Sequence, residues 1–589
     1  MYRIIENFSD DMQNYGKKGN NLKVLMNLFE NDSNIFVPET LILPNSIFKK
    51  IIDENGNADF SNFENIFINP QLEKEILGNI HKKFGNNKLV IRSSATCEDS
   101  IFFSGSGQYD SFLNIKTDKK IMDAIKKVYA SLFNKNSYLY SKIYNINLKK
   151  ESMAILIQAV APVIKSGVIF SCNPVDQSEK YIIESTKGLG TNVVEGVGNI
   201  THLEIDYFDK DNIVDKEIKL LINTVDIIKN KLNYEVDVEW GIDKNDNLYI
   251  FQARPIINKK VKFDLNYDKS IILKKCISIS KGFSIGKIEN ITDNSKGEIL
   301  FQNKKYNFND LELLLSSKGV ILKDNVKLSH FANILRELMK PCVYVDDFKF
   351  KKDNLYIIDA FNENIIDFEK LNTKDKINFL FNNFNYMSTI LNESFDKFNG
   401  IMCIDNDNKF EEVVFNIDKK NILNLLVKNG FKKKVINQKI YTYDFKDKSL
   451  IKNNVIFRIQ ISNKKINVQF KLLDMNYEHY RKEKGIIITF DNLKNAKEFM
   501  RSYLMIETGY QERKIVKYER GDISVNIISW PGCAPYLGIE CKSLNELRNI
   551  NNELQLNNSF IKGWGGKQIF EKLNLTIDNC KFDNKNKNK

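Results

Sequence analysis

His330 stands in Lys327-Leu-Ser-His-Phe-Ala-Asn-Ile-Leu-Arg-Glu-Leu-Met-Lys-Pro341 and is one of only four histidines in 589 residues. Imidazole is a nucleophile at neutral pH, and its phosphoryl adduct stays reactive enough to pass the group on. The ring follows a strand-like run, Gly319-Val-Ile-Leu322, and directly precedes a helical pattern in which Ile334, Leu335 and Leu338 recur on one face. A histidine so placed meets the free N–H groups of a helix N-terminus, which can hold phosphate. A capping or packed histidine fits the same pattern. The choice therefore depends on whether the chain also builds a phosphoryl donor site.

Residues upstream have the chemistry for one. Leu89-Val-Ile-Arg92-Ser-Ser-Ala-Thr-Cys-Glu-Asp99 reads as a strand delivering an arginine into a Ser/Thr-rich turn, and Gly105-Ser-Gly107 follows as a loop able to close over phosphates. Arginine presents a planar fork of donors matched to phosphate oxygens. Met153-Ala-Ile-Leu-Ile-Gln158 is an apolar strand ending in an amide, and Tyr181-Ile-Ile-Glu184 precedes Lys187-Gly-Leu-Gly190. Val236-Asp-Val-Glu239-Trp240 and Phe251-Gln252-Ala-Arg254-Pro255 bring carboxylate, amide and guanidinium to adjacent strand ends. A carboxylate and an amide oxygen can hold Mg²⁺ against phosphates while the arginine neutralises them. Taken singly, Gly188-Leu-Gly190 is a turn, and Glu239 with Arg254 could be an ordinary ion pair.

The elements that must position these residues fall into stretches. Residues 1–257 mix short β runs with helical patterns, and a lysine-rich connector begins at Asn258. Residues 268–365 form an α/β unit around His330. Residues 366–404 hold an amphipathic helical stretch, with Ile377, Phe379, Leu380, Phe384 and Met387 as its apolar set, which reads as a linker, with a docking element as the alternative. Residues 405–580 are β-rich. Val455–Ile461, Ile466–Leu472 and Ile523–Ile528 alternate in period two, with Arg458, Gln460, Gln469 and Lys471 on the polar phase. In a closed barrel that phase would line the lumen. The tail, residues 581–589, is too polar to bury and is expected to be disordered.

Composition narrows the classes. Hydrophobic residues at 42% and charged residues at 28% suit a globular protein. No apolar run is long enough to span a membrane and the N-terminus lacks a secretory core, so a cytoplasmic protein without membrane association is expected. Eight dispersed cysteines without a Cys-x-x-Cys pair argue against a zinc ribbon or a disulfide framework. The net charge of +12 is spread along the chain, which suits a polyanionic ligand such as a nucleotide. No nucleic-acid-binding signature is present, and the oligomeric state is not legible.

The ordered upstream set resembles the ATP-grasp nucleotide-binding domain shared by pyruvate phosphate dikinase and phosphoenolpyruvate synthase, from about Tyr15 to Ile256. The resemblance implies that Lys18 and Arg92 contact phosphates, that Gln158 lies near adenine and that Glu184 binds ribose. It further implies that Glu239 and Gln252 hold Mg²⁺ and that Arg254 meets the phosphates of ATP. Ala159 departs from the larger residue common after the glutamine. The same family carries a swivelling phosphohistidine domain, which Ser280–Gly286, Ser329-His330, Ala332, Arg336-Glu337 and Pro341 resemble. Asn325-Val326 replaces its usual glycine pair.

The β-rich region resembles a CYTH domain, an antiparallel β tunnel, at Tyr441–Asp444, Phe457–Gln460, Arg481–Glu483, Tyr510–Arg513 and Ser529–Glu540. In this resemblance Arg458, Lys471 and Arg481 bind a polyphosphate or phosphoryl acceptor, and Glu483 and Glu540 hold metal. The family's opening Glu-x-Glu-x-Lys is reduced to Glu412-Val-Val-Phe-Asn416, and Ile528 and Gly538 stand where it has acids. Fewer carboxylates weaken metal binding and triphosphate hydrolysis.

The expectation is thus a multidomain α/β and α+β protein: an ATP-dependent phosphotransferase of dikinase type that passes a group through His330 to a small-molecule acceptor. Pyruvate is a poor candidate acceptor, because the residues after 365 do not read as repeated βα units. The alternatives are a nucleotide- or polyphosphate-binding regulator with vestigial catalysis, and a triphosphatase working from the C-terminal region.

Overall fold

The computed structural model describes residues 15–56, 59–98, 108–143, 146–188, 200–256, 267–291, 298–302, 311–323, 330–393, 401–415, 417–477, 479–531, 534–556, 560–564 and 566–572. The Gly105–Gly107 loop, Asn325-Val326, Ser329, the lysine-rich connector and the 581–589 tail, all read from the sequence, lie outside them.

Two sheets carry the upstream residues. One has four antiparallel strands in the order Thr40–Leu43, Met153–Ala159, Leu89–Ala95, Ser111–Ile115. The helices Asn45–Asn55, Pro70–Phe84 and Asp118–Ser131 bury their apolar faces on it through Phe48, Ile51, Ile76, Ile80 and Ile125. The other runs Ile35–Phe36, Leu248–Pro255, Val236–Asp243, Val163–Phe170, Lys180–Lys187, Thr201–Asp206, and the helix Lys216–Leu232 packs on it. That helix starts where the Asp215 carboxylate accepts from the N–H groups of Glu217 and Ile218, satisfying donors left free in a first turn.

The helix Gly16–Leu28 lies between the two sheets, touching both Leu89–Ala95 and Leu248–Pro255. Its first residue has φ 67°, and a Cβ there would sit 2.0 Å from the Ser94 carbonyl oxygen, so only glycine permits this approach.

Residues 272–367 form an eight-stranded sheet. Its centre is parallel: Phe283–Asn290, Ile299–Phe301, Gly319–Leu322, Cys342–Tyr344. The helix His330–Glu337 bridges the last two strands, and Ala332 and Leu335 are buried against Val320 and Leu322. Asn364–Asp367 is a strand of this sheet, so the 365/366 boundary drawn from the sequence falls inside a strand.

The C-terminal strands close into an eight-stranded antiparallel barrel. Around it run Arg481–Phe490, Lys465–Asp474, Val455–Ser462, Lys432–Asp444, Ile506–Arg520, Ile523–Ser529, Tyr536–Cys541 and Lys409–Phe415. The last pairs back to the first through Lys409 with Glu483 and Glu411 with Arg481. Ile401–Asn406 and Phe560–Lys562 flank the ring. The period-two alternation dictates this wall: Phe457, Ile459, Val468 and Phe470 face outward helices, while Arg458, Gln460, Gln469 and Lys471 face the lumen.

The stretch read as a linker is a helix, Thr373–Glu393, but it is not a free connector. Phe379 stacks on Phe283 of the His330 unit at 6.1 Å, and Phe384 packs against Phe457, Phe470, Phe499 and Tyr503 of the barrel side at 5.3–5.7 Å. One continuous apolar core therefore joins the His330 unit to the barrel wall. An amphipathic stripe cannot reveal that its other face is also buried. No helix among the described residues is long and apolar enough to cross a membrane.

Candidate active site and barrel lumen

The upstream candidates converge where the two sheets face each other. Lys18, Arg92, Gln158 and Gln252 line one small pocket with Asn21, Leu22, Leu156, Phe251 and Ala253. Arg92 comes from the four-stranded sheet and crosses to the six-stranded one. Its Nη2 donates to Glu239 Oε2 at 2.8 Å and to Gln252 Oε1 at 2.9 Å, and its Nη1 to the Phe251 carbonyl at 3.3 Å. Glu239 and Gln252 are cross-strand partners in register, which is why their oxygens point to one place. A carboxylate and an amide oxygen within hydrogen-bonding reach of a single nitrogen are two oxygens of the kind that can hold Mg²⁺.

Lys18 donates to Glu98 Oε2 at 2.9 Å and to Ser93 Oγ at 3.3 Å. Gly19 N–H donates to Ser94 Oγ at 2.9 Å, which fixes the helix on the strand. Gln158, almost fully buried, donates its amide to Thr40 Oγ1 at 2.8 Å. Glu184 Oε1 lies 3.2 Å from His202 Nδ1, and that hydrogen bond, above all, raises the His202 pKa. Arg254 is held by Asp237 in the adjacent strand, Nε to the two carboxylate oxygens at 2.8 and 2.7 Å, both side chains buried. Arg92 is therefore the guanidinium in the cleft pocket, whereas Arg254 braces the strand pair beside it. The sequence reading missed Glu98, Asp237 and His202 as partners.

The His330–Glu337 helix docks on this region. Leu338 and Ile334 pack with Leu139, Tyr140 and Cys97 of the N-terminal part. Arg336 donates to the Ile279 carbonyl at 3.0 Å and lies in the field of Asp237 and Glu184. Burial pushes its pKa down to about 10 against those carboxylates. His330 is the first residue of the helix, and its side chain lies outside the described residues.

The barrel lumen is a cavity of about 610 Å³, and all five sequence-predicted residues of this region line it: Arg458, Lys471, Arg481, Glu483 and Glu540. They do not act alike. Lys471 bridges Glu483 at 2.9 Å and Asp407 at 2.8 Å, Arg481 bridges Glu411 at 2.7 Å and Glu483 at 3.0 Å, and Lys409 bridges Glu540 at 2.6 Å. Burial would raise Glu483, but Lys471, Arg481 and Lys409 outweigh it and hold the carboxyl well below the ordinary range. Burial pushes Glu411 up to about 7 despite Arg481. Glu483 and Glu540 are thus tied up by cations of the chain itself, and among the described residues no group of three or more His, Cys, Asp or Glu side chains is arranged to hold a metal.

The motif remnant that the resemblance starts at Glu412 is out of step with the lumen. Glu412 points away from the lumen and accepts from Asn551 at 3.0 Å, whereas the inward alternation is Asp407, Lys409, Glu411. Ile528 does line the lumen, and a Cβ on Gly538 would meet Ile528 Cδ1 at 3.0 Å. Arg513 also lines it and was not singled out.

Residues 61–218 and 200–271 match the family pyruvate phosphate dikinase, AMP/ATP-binding domain. The chain is 24% identical over 351 residues to a phosphoenolpyruvate synthase of Pyrococcus furiosus, covering 50% of this chain and 43% of that protein. It is 28% identical over 296 residues to an uncharacterized phosphotransferase, YvkC, of Bacillus subtilis, covering 44% of this chain and 35% of that one. The chain thus spans less than half the length of these relatives. Among solved structures, an adenylyl cyclase candidate from Hippeastrum with a dominant triphosphatase activity matches at 12% identity, over 28% of this chain and 95% of that chain, with a TM-score of 0.23. Over residues 61–271 the chain thus matches the ATP-binding domain of pyruvate phosphate dikinase, and over about half of its length it is similar to a phosphoenolpyruvate synthase.

Proposed function

We propose that this protein is an ATP-dependent phosphotransferase of dikinase type in which His330 carries the group from ATP to a small-molecule acceptor. The observation that carries the reading is the packing of Ile334 and Leu338 on the N-terminal part, with Arg336 in the field of Asp237, on the strand that carries Glu239, and of Glu184, two strands away in the same sheet. An imidazole nitrogen of His330 attacks the β-phosphorus of ATP, the bond from that phosphorus to the AMP oxygen breaks and AMP leaves; water then releases the terminal phosphate of the pyrophosphoryl-histidine, and the phosphoryl group that remains passes to the acceptor. Lys18 and Arg92 neutralise the phosphates, and Glu184 and Gln158 orient the nucleoside. Glu239 and Gln252 would hold Mg²⁺, which supplies charge neutralisation between phosphate oxygens. A mobile carrier answers the need for in-line attack at two sites that cannot both lie beside one fixed nucleophile.

His330→Ala should abolish AMP formation from ATP while leaving ATP binding, followed by calorimetric titration, within a factor of two or so of the unaltered protein. AMP release at the unaltered rate would remove His330 from the reaction. We read the barrel as a CYTH-like ligand tunnel, supported by its inward polar alternation. A regulator that binds a phosphorylated ligand is the second reading, because four of the five predicted lumen residues are already paired internally.

A further inference from the structure

A separate cavity of about 70 Å³ lies on the seam between the His330 unit and the barrel. Ser284, Lys318 and Met339 reach it from the His330 unit, Asn383 and Met387 from the helix Thr373–Glu393, and Phe499 from the helix Leu493–Ser502 on the barrel side. Alternation along Phe283–Asn290 puts Ser284 and Gly286 on one face of the strand. The Lys318 stem lies on that face, since a Cβ at Gly286 would meet Lys318 Cδ at 3.1 Å. Glycine at this position therefore makes room for the lysine.

The polar groups at this end are unsatisfied. The hydroxyl of Ser284, a residue 4% exposed, and the buried Nζ of Lys318 have no hydrogen-bond partner among the described residues. Lys318 Nζ lies 3.7 Å from Glu298 Oε2, beyond hydrogen-bond distance, and 4.7 Å from the centroid of the Tyr503 ring. Glu298 Oε2 already accepts from the Lys287 N–H at 2.7 Å. Burial, only partly opposed by Glu298, lowers the Lys318 pKa, so the ammonium is under-compensated where it stands. Asn383, by contrast, donates to the Tyr503 hydroxyl at 3.0 Å.

The remaining wall, with Met339, Met387 and Phe499, is apolar. The cavity has room for roughly five water-sized groups at about 10–15 Å³ each, and a buried water needs about two to four polar partners. Ser284 and Lys318 can satisfy a first water, but the far end offers the others no partner. A solute with an anionic head and a short apolar body suits both ends. Its carboxylate takes a charge-assisted bond from Lys318 and a second from Ser284, and its hydrocarbon fills the part that water solvates poorly.

We infer that this seam is a binding site for a short aliphatic monocarboxylate of about four to six heavy atoms, with its head on Lys318 and Ser284. The inference depends neither on transfer through His330 nor on any ligand of the barrel lumen. Because three elements build the walls, the occupant is held only while the His330 unit and the barrel stay together, and it adds to the stability of that contact.

Ligand-observed NMR titration of the full chain with butyrate, with a thermal melt alongside, tests it. Butyrate should bind saturably and raise the melting temperature; 1-butanol, which lacks the charge, should bind about tenfold more weakly, and butylammonium, which Lys318 repels, should not bind. Lys318→Gln, which keeps a donor toward Glu298, should weaken butyrate by about tenfold, and Ser284→Ala by about threefold. Ser284→Ala decides where Lys318→Gln lowers the melting temperature. Arg458→Gln and Lys18→Gln, which remove cations from the lumen and the ATP cleft, should leave the titration unchanged. No saturable butyrate binding, equal binding of 1-butanol, or unaltered affinity in Ser284→Ala overturns the inference. Loss in Arg458→Gln or Lys18→Gln would place the carboxylate in the lumen or the cleft and overturn it equally.

Discussion

Phe384 is the residue through which the barrel grips the helix Thr373–Glu393, and Phe384→Ala tests whether the barrel and the His330 unit are one body. The ring is fully buried and meets Phe457, Phe470, Phe499 and Tyr503, two of these edge-on. Truncating a buried phenylalanine costs about 3–5 kcal/mol in transfer and cavity terms. For a unit of a few hundred residues, each kcal/mol moves the midpoint by roughly 2–4 °C, so a fall on the order of 10 °C is expected. Scanning calorimetry with hydrogen exchange reads which strands respond. Strands Phe283–Asn290 and Val455–Ser462 should lose protection together, since both lie in the core that contains Phe384, while Leu89–Ala95 should keep its own. If Phe283–Asn290 instead melts with the N-terminal sheets and independently of the barrel, the reasoning is refuted.

Two further outcomes follow from single side chains. Arg92→Gln removes the group that gathers Glu239 and Gln252, and ATP-dependent AMP formation should fall on the order of a hundredfold with a weaker apparent affinity for ATP; an unchanged rate would detach this cleft from catalysis. Glu412 is almost fully buried with Oε1 unpartnered, and burial pushes its pKa from 4.5 up to about 7. A carboxyl raised on folding stabilises below its unfolded pKa and loses that contribution as pH rises through the folded value. Glu412→Gln should therefore stabilise the protein by up to about 3 kcal/mol at pH 8 and by little at pH 4, read as the difference in denaturant midpoints; a pH-independent difference would contradict the assignment.

Chemistry that lies within one strand was legible in the sequence, whereas chemistry that depends on pairing was not. Arg92, Glu239 and Gln252 announce themselves by type at strand ends. Asp237 as the partner of Arg254 required the register of two strands 17 positions apart in the chain, which no local pattern encodes. The barrel wall was readable from alternation at Arg458, Gln460, Gln469 and Lys471. At Glu411-Glu412 adjacent acids gave no phase, and a one-residue slip exchanges lumen for exterior. Helix Thr373–Glu393 was visible as an amphipathic stripe, yet burial of its second face depends on which sheets arrive on either side.

The unequal contacts of the His330 unit bear on how a carrier could work here. Toward the N-terminal part, Ile334 of its helix and Leu338 just beyond it meet a small cluster centred on Tyr140. Toward the barrel it shares a core holding Phe283, Ile285, Leu355 and Ile357 on one side and Phe457, Val468 and Phe470 on the other. Separating the first exposes a few side chains, whereas separating the second strips a layer of aromatic rings, each worth about 1.5–3 kcal/mol of burial. If His330 leaves the ATP cleft, the smaller contact is the one that yields, and the barrel travels with the carrier. A ligand in the barrel lumen would then keep a fixed distance from the helix that begins at His330 throughout the swing. For such a ligand, a regulatory role on the moving body costs no broken core, whereas service as acceptor would require motion within it.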